Sequence, residues 1–143
     1  MESYSIFDAL TDDQMKSILA ISTRRKLVKN TVIYQEGEPS KDVHILTDGV
    51  LLVSLWGREL GRIFAVSFVG EMGLFTKENR SADVTTMTNC ILYQIKGEDL
   101  FALLEKDKDI HILFLETMLG DVSHKLRILN EIIAKQRGKG DKI

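Results

Sequence analysis

Two short segments of the 143-residue chain bring together residue types that can hold a small sugar phosphate. The first is Gly70-Glu71-Met72-Gly73-Leu74-Phe75, and the second is Asn79-Arg80-Ser81-Ala82. Gly70 lets the backbone turn and lets a ligand approach it closely. Residues 71–75 can then make one helical turn. The N–H groups of Met72, Gly73 and Leu74 lack intrahelical acceptors there and form a cradle for an anion. Arg80, nine residues after Glu71, supplies a planar fork suited to phosphate, and Ser81 adds a hydroxyl donor. An ionised Glu71 only accepts hydrogen bonds, so it calls for a donor such as a sugar hydroxyl.

Other side chains are less well placed for chemistry. His44, His111 and His124 are scattered, without the clustering of a metal-binding barrel, so no metal is expected. No second carboxylate or His-activated nucleophile stands near Glu71 at motif spacing, so the expectation is a binding module and not an enzyme. This also weighs against a cupin-like enzyme. The single cysteine, Cys90, lies in an apolar run and reads as a buried side chain. Trp56 sits at a turn, where it can stack on a ligand or line a barrel rim.

The elements that must position these residues follow from periodicity. Thr11-Asp12-Asp13-Gln14 is a capping box, with Leu10 and Met15 as a hydrophobic staple, and it opens a short amphipathic helix. Residues 31–35, 43–47, 50–55, 60–66, 84–87 and 90–95 are short runs rich in Val, Ile, Leu and Thr, separated by turn residues. Asp48-Gly49, between two of these runs, predicts a type I′ hairpin. Strands at this spacing predict a mainly β fold, a barrel or jelly roll over about residues 30–96, with flanking helices.

Helical period returns after Gly97, with Leu100, Phe101, Leu103 and Leu104 on a short helix. A longer helix is predicted from near Asp109 toward Lys135. Along it Leu115, Leu119, Val122, Leu126, Leu129 and Ile133 recur at spacings of 4, 3, 4, 3 and 4, a heptad seam fit to pair two chains. Phe114, Met118, Ile128 and Ile132 broaden the apolar face, and the competing reading packs this helix on its own barrel. The folded domain is expected over residues 1–135, with 136–143 a basic, flexible tail.

With these elements in place, residues 70–75 and Arg80-Ser81-Ala82 resemble the phosphate-binding cassette of cyclic nucleotide-binding domains. The likeness is greatest to the sensory domain of the bacterial catabolite activator protein family. It extends over most of the chain, from Ile6-Phe7-x-x-Leu10 through Gly37 and Asp48-Gly49 to the long final helix. The resemblance implies a double-stranded β-roll with an N-terminal helix and a long C-terminal helix. It implies that Glu71 takes the ribose 2′-hydroxyl and that Arg80 and Ser81, beside Ala82, hold the cyclic phosphate. Backbone donors of Gly70, Met72, Gly73 and Leu74 assist. Two departures stand out: Val66-Ser67 replaces a Gly-Asp pair that often precedes the cassette, and the family's base-reading Thr-Ser pair falls on Lys125 and Leu126.

The ligand so implied is cAMP, with cGMP as the alternative, and no further cofactor. An alternative within the same fold is a nucleotide-free scaffold, or the sensor half of a larger transcription regulator. Nineteen basic against twenty-one acidic residues weigh against general nucleic-acid binding, and no DNA contact by this chain is expected. The amino terminus lacks a signal-peptide pattern and no apolar run reaches membrane-spanning length, so the expected compartment is the cytoplasm.

Overall fold

A computed structural model describes residues 6–140. A 3-10 turn at Ile6–Asp8 leads into α1 (Asp12–Ala20), whose start is set locally. Thr11 Oγ1 accepts from the Gln14 N–H (3.1 Å) and Gln14 Oε1 accepts from the Thr11 N–H (2.9 Å), closing the expected capping box.

Eight strands follow: β1 (Ser22–Leu27), β2 (Val32–Tyr34), β3 (Asp42–Asp48), β4 (Val50–Leu55), β5 (Arg58–Phe64), β6 (Ser67–Val69), β7 (Asp83–Thr86) and β8 (Cys90–Lys96). A short helix, α2 (Glu71–Thr76), interrupts them between β6 and β7, and α3 (Gly97–Lys106) and α4 (Lys108–Gly140) complete the chain. The strands form two antiparallel four-stranded sheets, ordered β1-β8-β3-β6 and β2-β7-β4-β5. This is the β-roll with flanking helices.

The apolar run of β3 is buried on both faces, as strands between two layers must be. Val43 and Ile45 face the helices and pack with Ile18, Leu74, Leu100, Leu104, Ile110 and Phe114. Leu46 faces the roll interior with Tyr34, Leu51, Val69, Val84 and Leu92. Alternation along one strand therefore divides a helix-facing core from an inter-sheet core.

Three features depart from expectation. Asp48-Gly49 is not a hairpin: β3 and β4 belong to different sheets, and the pair is the corner between them. Gly49 has φ +99°, and a Cβ there would lie 2.6 Å from the Asn89 carbonyl oxygen. Positive φ at this position thus reflects a tight crossing, which a hairpin signature cannot distinguish. The hairpin forms instead at Trp56-Gly57, both at positive φ, joining β4 to β5 with Leu55 opposite Arg58. Second, the roll begins at β1, not near residue 30; its Ser-Thr-Arg-Arg-Lys-Leu sequence is that of an exposed edge strand. Third, α4 continues to Gly140 rather than ending near Lys135, so residues 136–140 of the expected tail are helical. Residues 141–143 lie outside the described residues.

Candidate functional site

The cassette forms the expected turn. Gly70, at φ +85°, ends the β6 segment and caps α2, whose first N–H groups have no intrahelical acceptors. A Cβ at Gly70 would lie 2.5 Å from Arg80 Nη1 and 2.6 Å from Tyr34 Oη, so no larger residue fits against the arginine. Leu74 turns away into the helix-facing core, where Gly97 gives it room.

Backbone pairing fixes Arg80. Its N–H donates to Glu38 O (2.7 Å), and its carbonyl accepts from the Gly37 N–H (2.8 Å). The side chain, 6% exposed, runs inward. Nη1 donates to Gly70 O (2.7 Å), and Nη2 donates to the Asp42 carbonyl and to Asp42 Oδ1 (3.1 Å). Its guanidinium carbon lies 3.6 Å from the Tyr34 ring centroid, a cation–π contact. These three bonds leave two of the five guanidinium N–H donors for an anion. Arg80 forms no ion pair with Glu71; its carboxylate partner is Asp42, whose Oδ2 also accepts from Gln94 Nε2 (2.5 Å).

Behind Tyr34 the network continues inward. Its hydroxyl donates to Val69 O (3.1 Å) and lies 2.6 Å from His44 Nδ1, while Arg25 Nη1 lies 3.3 Å from His44 Nε2. Arginine can only donate, so Nε2 accepts and the proton sits on Nδ1, which donates to Tyr34. A neutral imidazole thus satisfies every partner. Burial, with Arg25 and Arg80 nearby, lowers the His44 pKa to about 4 against the pull of Asp42. Burial likewise pushes the Tyr34 hydroxyl far above its ordinary value, so it stays protonated.

A cavity of about 760 Å³ opens between this face of the roll and α4. Gly70, Glu71, Met72, Gly73, Arg80, Ser81 and Ala82 all line it, so the structure brings together every cassette residue named from sequence except Leu74 and Phe75, which pack into the helix-facing core. The end of β5 and the 65–69 segment form one side. The opposite wall is one face of α4: Phe114, Thr117, Met118, Asp121, His124 and Lys125. Burial pushes the Glu71 carboxyl above its ordinary value; Asp121 adds to this, while its own N–H, Lys125 and Arg80 oppose it.

The positions proposed for the base divide. Lys125 reaches the cavity wall, whereas Leu126 is 55% exposed and does not line the cavity. Trp56, 83% exposed, lies outside it too. The seam residues Leu115, Leu119, Val122, Leu126, Leu129 and Ile133 all stay exposed, while Ile110, Phe114 and Met118 pack inward. Neither Asp42 and Tyr34 nor Thr117 and Asp121 were marked by any motif. The only sequence signal for the last pair is their four-residue spacing on the same helical face as Phe114 and Met118.

Comparison with known proteins places this geometry. The family described as the cyclic nucleotide-binding domain matches residues 24–107, more than half of the chain, ending just before α4. A cGMP-dependent protein kinase of Toxoplasma gondii is 29% identical over 119 residues, covering 83% of this chain and 12% of the kinase. The potassium/sodium hyperpolarization-activated cyclic nucleotide-gated channel 3 of Mus musculus is 27% identical over 108 residues, covering 76% of this chain and 14% of the channel. The chain thus spans a third or less of the length of the curated relatives it matches. Among solved structures, the Thermus thermophilus catabolite activator protein superposes with a TM-score of 0.75 at 19% identity, covering 92% of this chain and 62% of that one.

Proposed function

Because the chain belongs to the cyclic nucleotide-binding domain family, we propose that it is a sensory module that binds cAMP, with cGMP as the alternative ligand, and is not an enzyme. The observation that carries this reading is the cavity in which Arg80, Glu71 and the first turn of α2 face α4. Its volume is within the range of small-molecule sites. The two free donors of Arg80, the Ser81 hydroxyl and the α2 N–H groups take the cyclic phosphate, and Glu71 accepts from the ribose 2′-hydroxyl. The purine then lies toward α4.

Signalling requires that the ligand bind one placement of α4 more tightly than another. Two observations support α4 as the output. It forms one wall of the cavity, and its separate, exposed apolar stripe from Leu115 to Ile133 is fit to pair with a second copy. Among the described residues no helix is long and apolar enough to cross a membrane. We place the protein in the cytoplasm, without DNA contact of its own.

A second reading is a nucleotide-free scaffold, favoured by the internal engagement of Arg80 with Asp42. A thermal-shift series on refolded protein, freed of any carried ligand, separates the two. At ligand about 100-fold above Kd, stabilisation is about 2.7 kcal/mol, or roughly 2–8 °C for a chain of this size. A shift with cAMP but not with 5′-AMP supports the sensor. No shift with cAMP or cGMP at millimolar concentration supports the scaffold.

A further inference from the structure

Charge is unevenly spread along this chain of net charge −2. Residues 14–35 hold five basic side chains, Lys16, Arg24, Arg25, Lys26 and Lys29, and no acidic one. Arg24, Lys26 and Lys29 are exposed, on β1 or just beyond its end. Arg25 turns inward instead, where its Nη1 lies 3.3 Å from His44 Nε2. Neither of the two ion pairs formed among the described residues, Arg62–Glu59 and Arg80–Asp42, involves the exposed three. Asp48 shares the cross-strand row of Lys26 but stands two strands away, beyond Ile91 and roughly 10 Å off.

The same strand ends its sheet. In the order β1-β8-β3-β6, β1 has β8 as its one partner among the described residues, and none of its six residues is buried. An edge of that kind presents a row of backbone N–H and C=O groups to any chain that can lie along it. Here the side chains select which chain can. Alternation puts Arg24 and Lys26 on one face, opposite Tyr93 and Ile91 of β8. A second β1 laid along the edge would bring cation against cation, which disfavours pairing with another copy. A strand with carboxylates at alternate positions meets both cations at cross-strand distance. Val28, next along and 71% exposed, offers it an apolar contact. We propose that the free edge of β1 is a docking site for an extended acidic segment of a partner protein, which joins the sheet as a further strand with its carboxylates against Arg24 and Lys26. A nucleic acid would satisfy the cations but leave the edge unpaired, and the overall negative charge of the chain does not favour it. No β1 residue lines the nucleotide cavity, so this surface stands apart from nucleotide binding.

The test titrates blocked peptides of about eight residues, an ordinary strand length, into the isotope-labelled full chain, followed by amide NMR at low salt. One peptide alternates glutamate and threonine, and a second has lysine in place of glutamate. A third keeps the glutamates but has proline at its centre, which removes a ladder donor. A thymidine oligonucleotide of equal charge is the fourth probe. The glutamate peptide should saturate at or below about millimolar concentration, shifting amides of residues 22–28 and slowing hydrogen exchange at those on the outer edge. The proline peptide should bind about 2–10-fold more weakly, from the loss of a strand hydrogen bond. Arg24→Glu with Lys26→Glu should bind the glutamate peptide at least about fivefold more weakly, and the lysine peptide more tightly than wild type does. Arg24→Gln with Lys26→Gln should fall between, and carries the test should circular dichroism show that charge reversal disturbs folding. Equal binding of the glutamate and proline peptides, or tighter binding of the oligonucleotide without slowed exchange, reduces the surface to an anion patch and overturns the proposal. No saturation by the glutamate peptide, or binding unchanged in the folded double variants, overturns it as well.

Discussion

Arg80 is tied into the fold and aimed at the ligand at once, so removing it should produce two separable losses. In the fold, Arg80→Ala leaves the Gly70 carbonyl, the Asp42 carbonyl and Asp42 Oδ1 without their donor and strips the Tyr34 ring of its cation. Breaking a buried pair by deleting one partner costs about 3–5 kcal/mol. Equilibrium urea unfolding should show a loss of that order. In the site, a unit charge about 4 Å from the phosphate is worth at most about 4 kcal/mol at an effective dielectric of 20. Deletion of one member of a hydrogen-bonded charge pair costs about 2–5 kcal/mol, or roughly 30-fold to several-thousand-fold in affinity. The orphaned Asp42 carboxylate then faces the phosphate and adds repulsion. The double variant Arg80→Ala with Asp42→Asn should recover part of the lost affinity. Arg80→Lys should fall between, because an ammonium cannot bond two carbonyls and a carboxylate and stack on Tyr34 together. Calorimetry with cAMP, with circular dichroism to establish folding, reads the binding loss; Arg80→Lys carries the test should the alanine variant not fold. If a folded Arg80 variant binds cAMP within about threefold of wild type, well short of that loss, the phosphate site lies elsewhere.

Three further outcomes follow from the same geometry. The His44 pKa is lowered to about 4 in the fold, so the folded state binds fewer protons than the unfolded one. Its contribution is complete above the ordinary histidine value of about 6.5 and is lost as pH falls toward 4, about 2–4 kcal/mol by chemical denaturation at a series of pH values; a flat profile refutes the neutral-imidazole network. Glu71 is shifted the opposite way, so its burial stabilises less as pH rises above the ordinary carboxylate range. Nucleotide affinity should rise with pH over the same window as the acceptor ionises, and Glu71→Gln should abolish that rise and weaken cAMP more than its 2′-deoxy analogue. Val122→Lys with Leu129→Lys should convert a dimer to a monomer in sedimentation without lowering the melting temperature, since both side chains are about half exposed in the single chain. A wild-type monomer at high micromolar concentration contradicts the seam.

Features fixed by neighbouring residues were legible in the sequence. The Thr11–Gln14 capping box is satisfied within one turn, and the Gly70–Glu71 turn follows from a glycine at positive φ before a helix. Interactions that depend on tertiary partners were not. Nothing about Asp42 in its own strand says that Arg80, 38 residues later, returns to its carboxylate. Asp48-Gly49 carries a correct backbone signal, but which sheet the next strand joins depends on Asn89 and Cys90 packing against the corner. β1 is an edge strand with charged outward side chains, so its pairing with β8 leaves little apolar alternation to read. On α4, two apolar stripes overlap in sequence. Only the packing of Phe114 and Met118 separates the cavity wall, which includes Thr117 and Asp121, from the exposed seam.

The central claim is that the cavity between the cassette and α4 holds one cyclic mononucleotide. Titration calorimetry of cAMP into denatured and refolded wild-type protein tests it most directly. The account predicts a saturable single-site isotherm of one nucleotide per chain, with cGMP competing for the same site and 5′-AMP leaving it unaffected. No saturable heat with cAMP or cGMP, in a refolded chain whose circular dichroism matches the native protein, would contradict it.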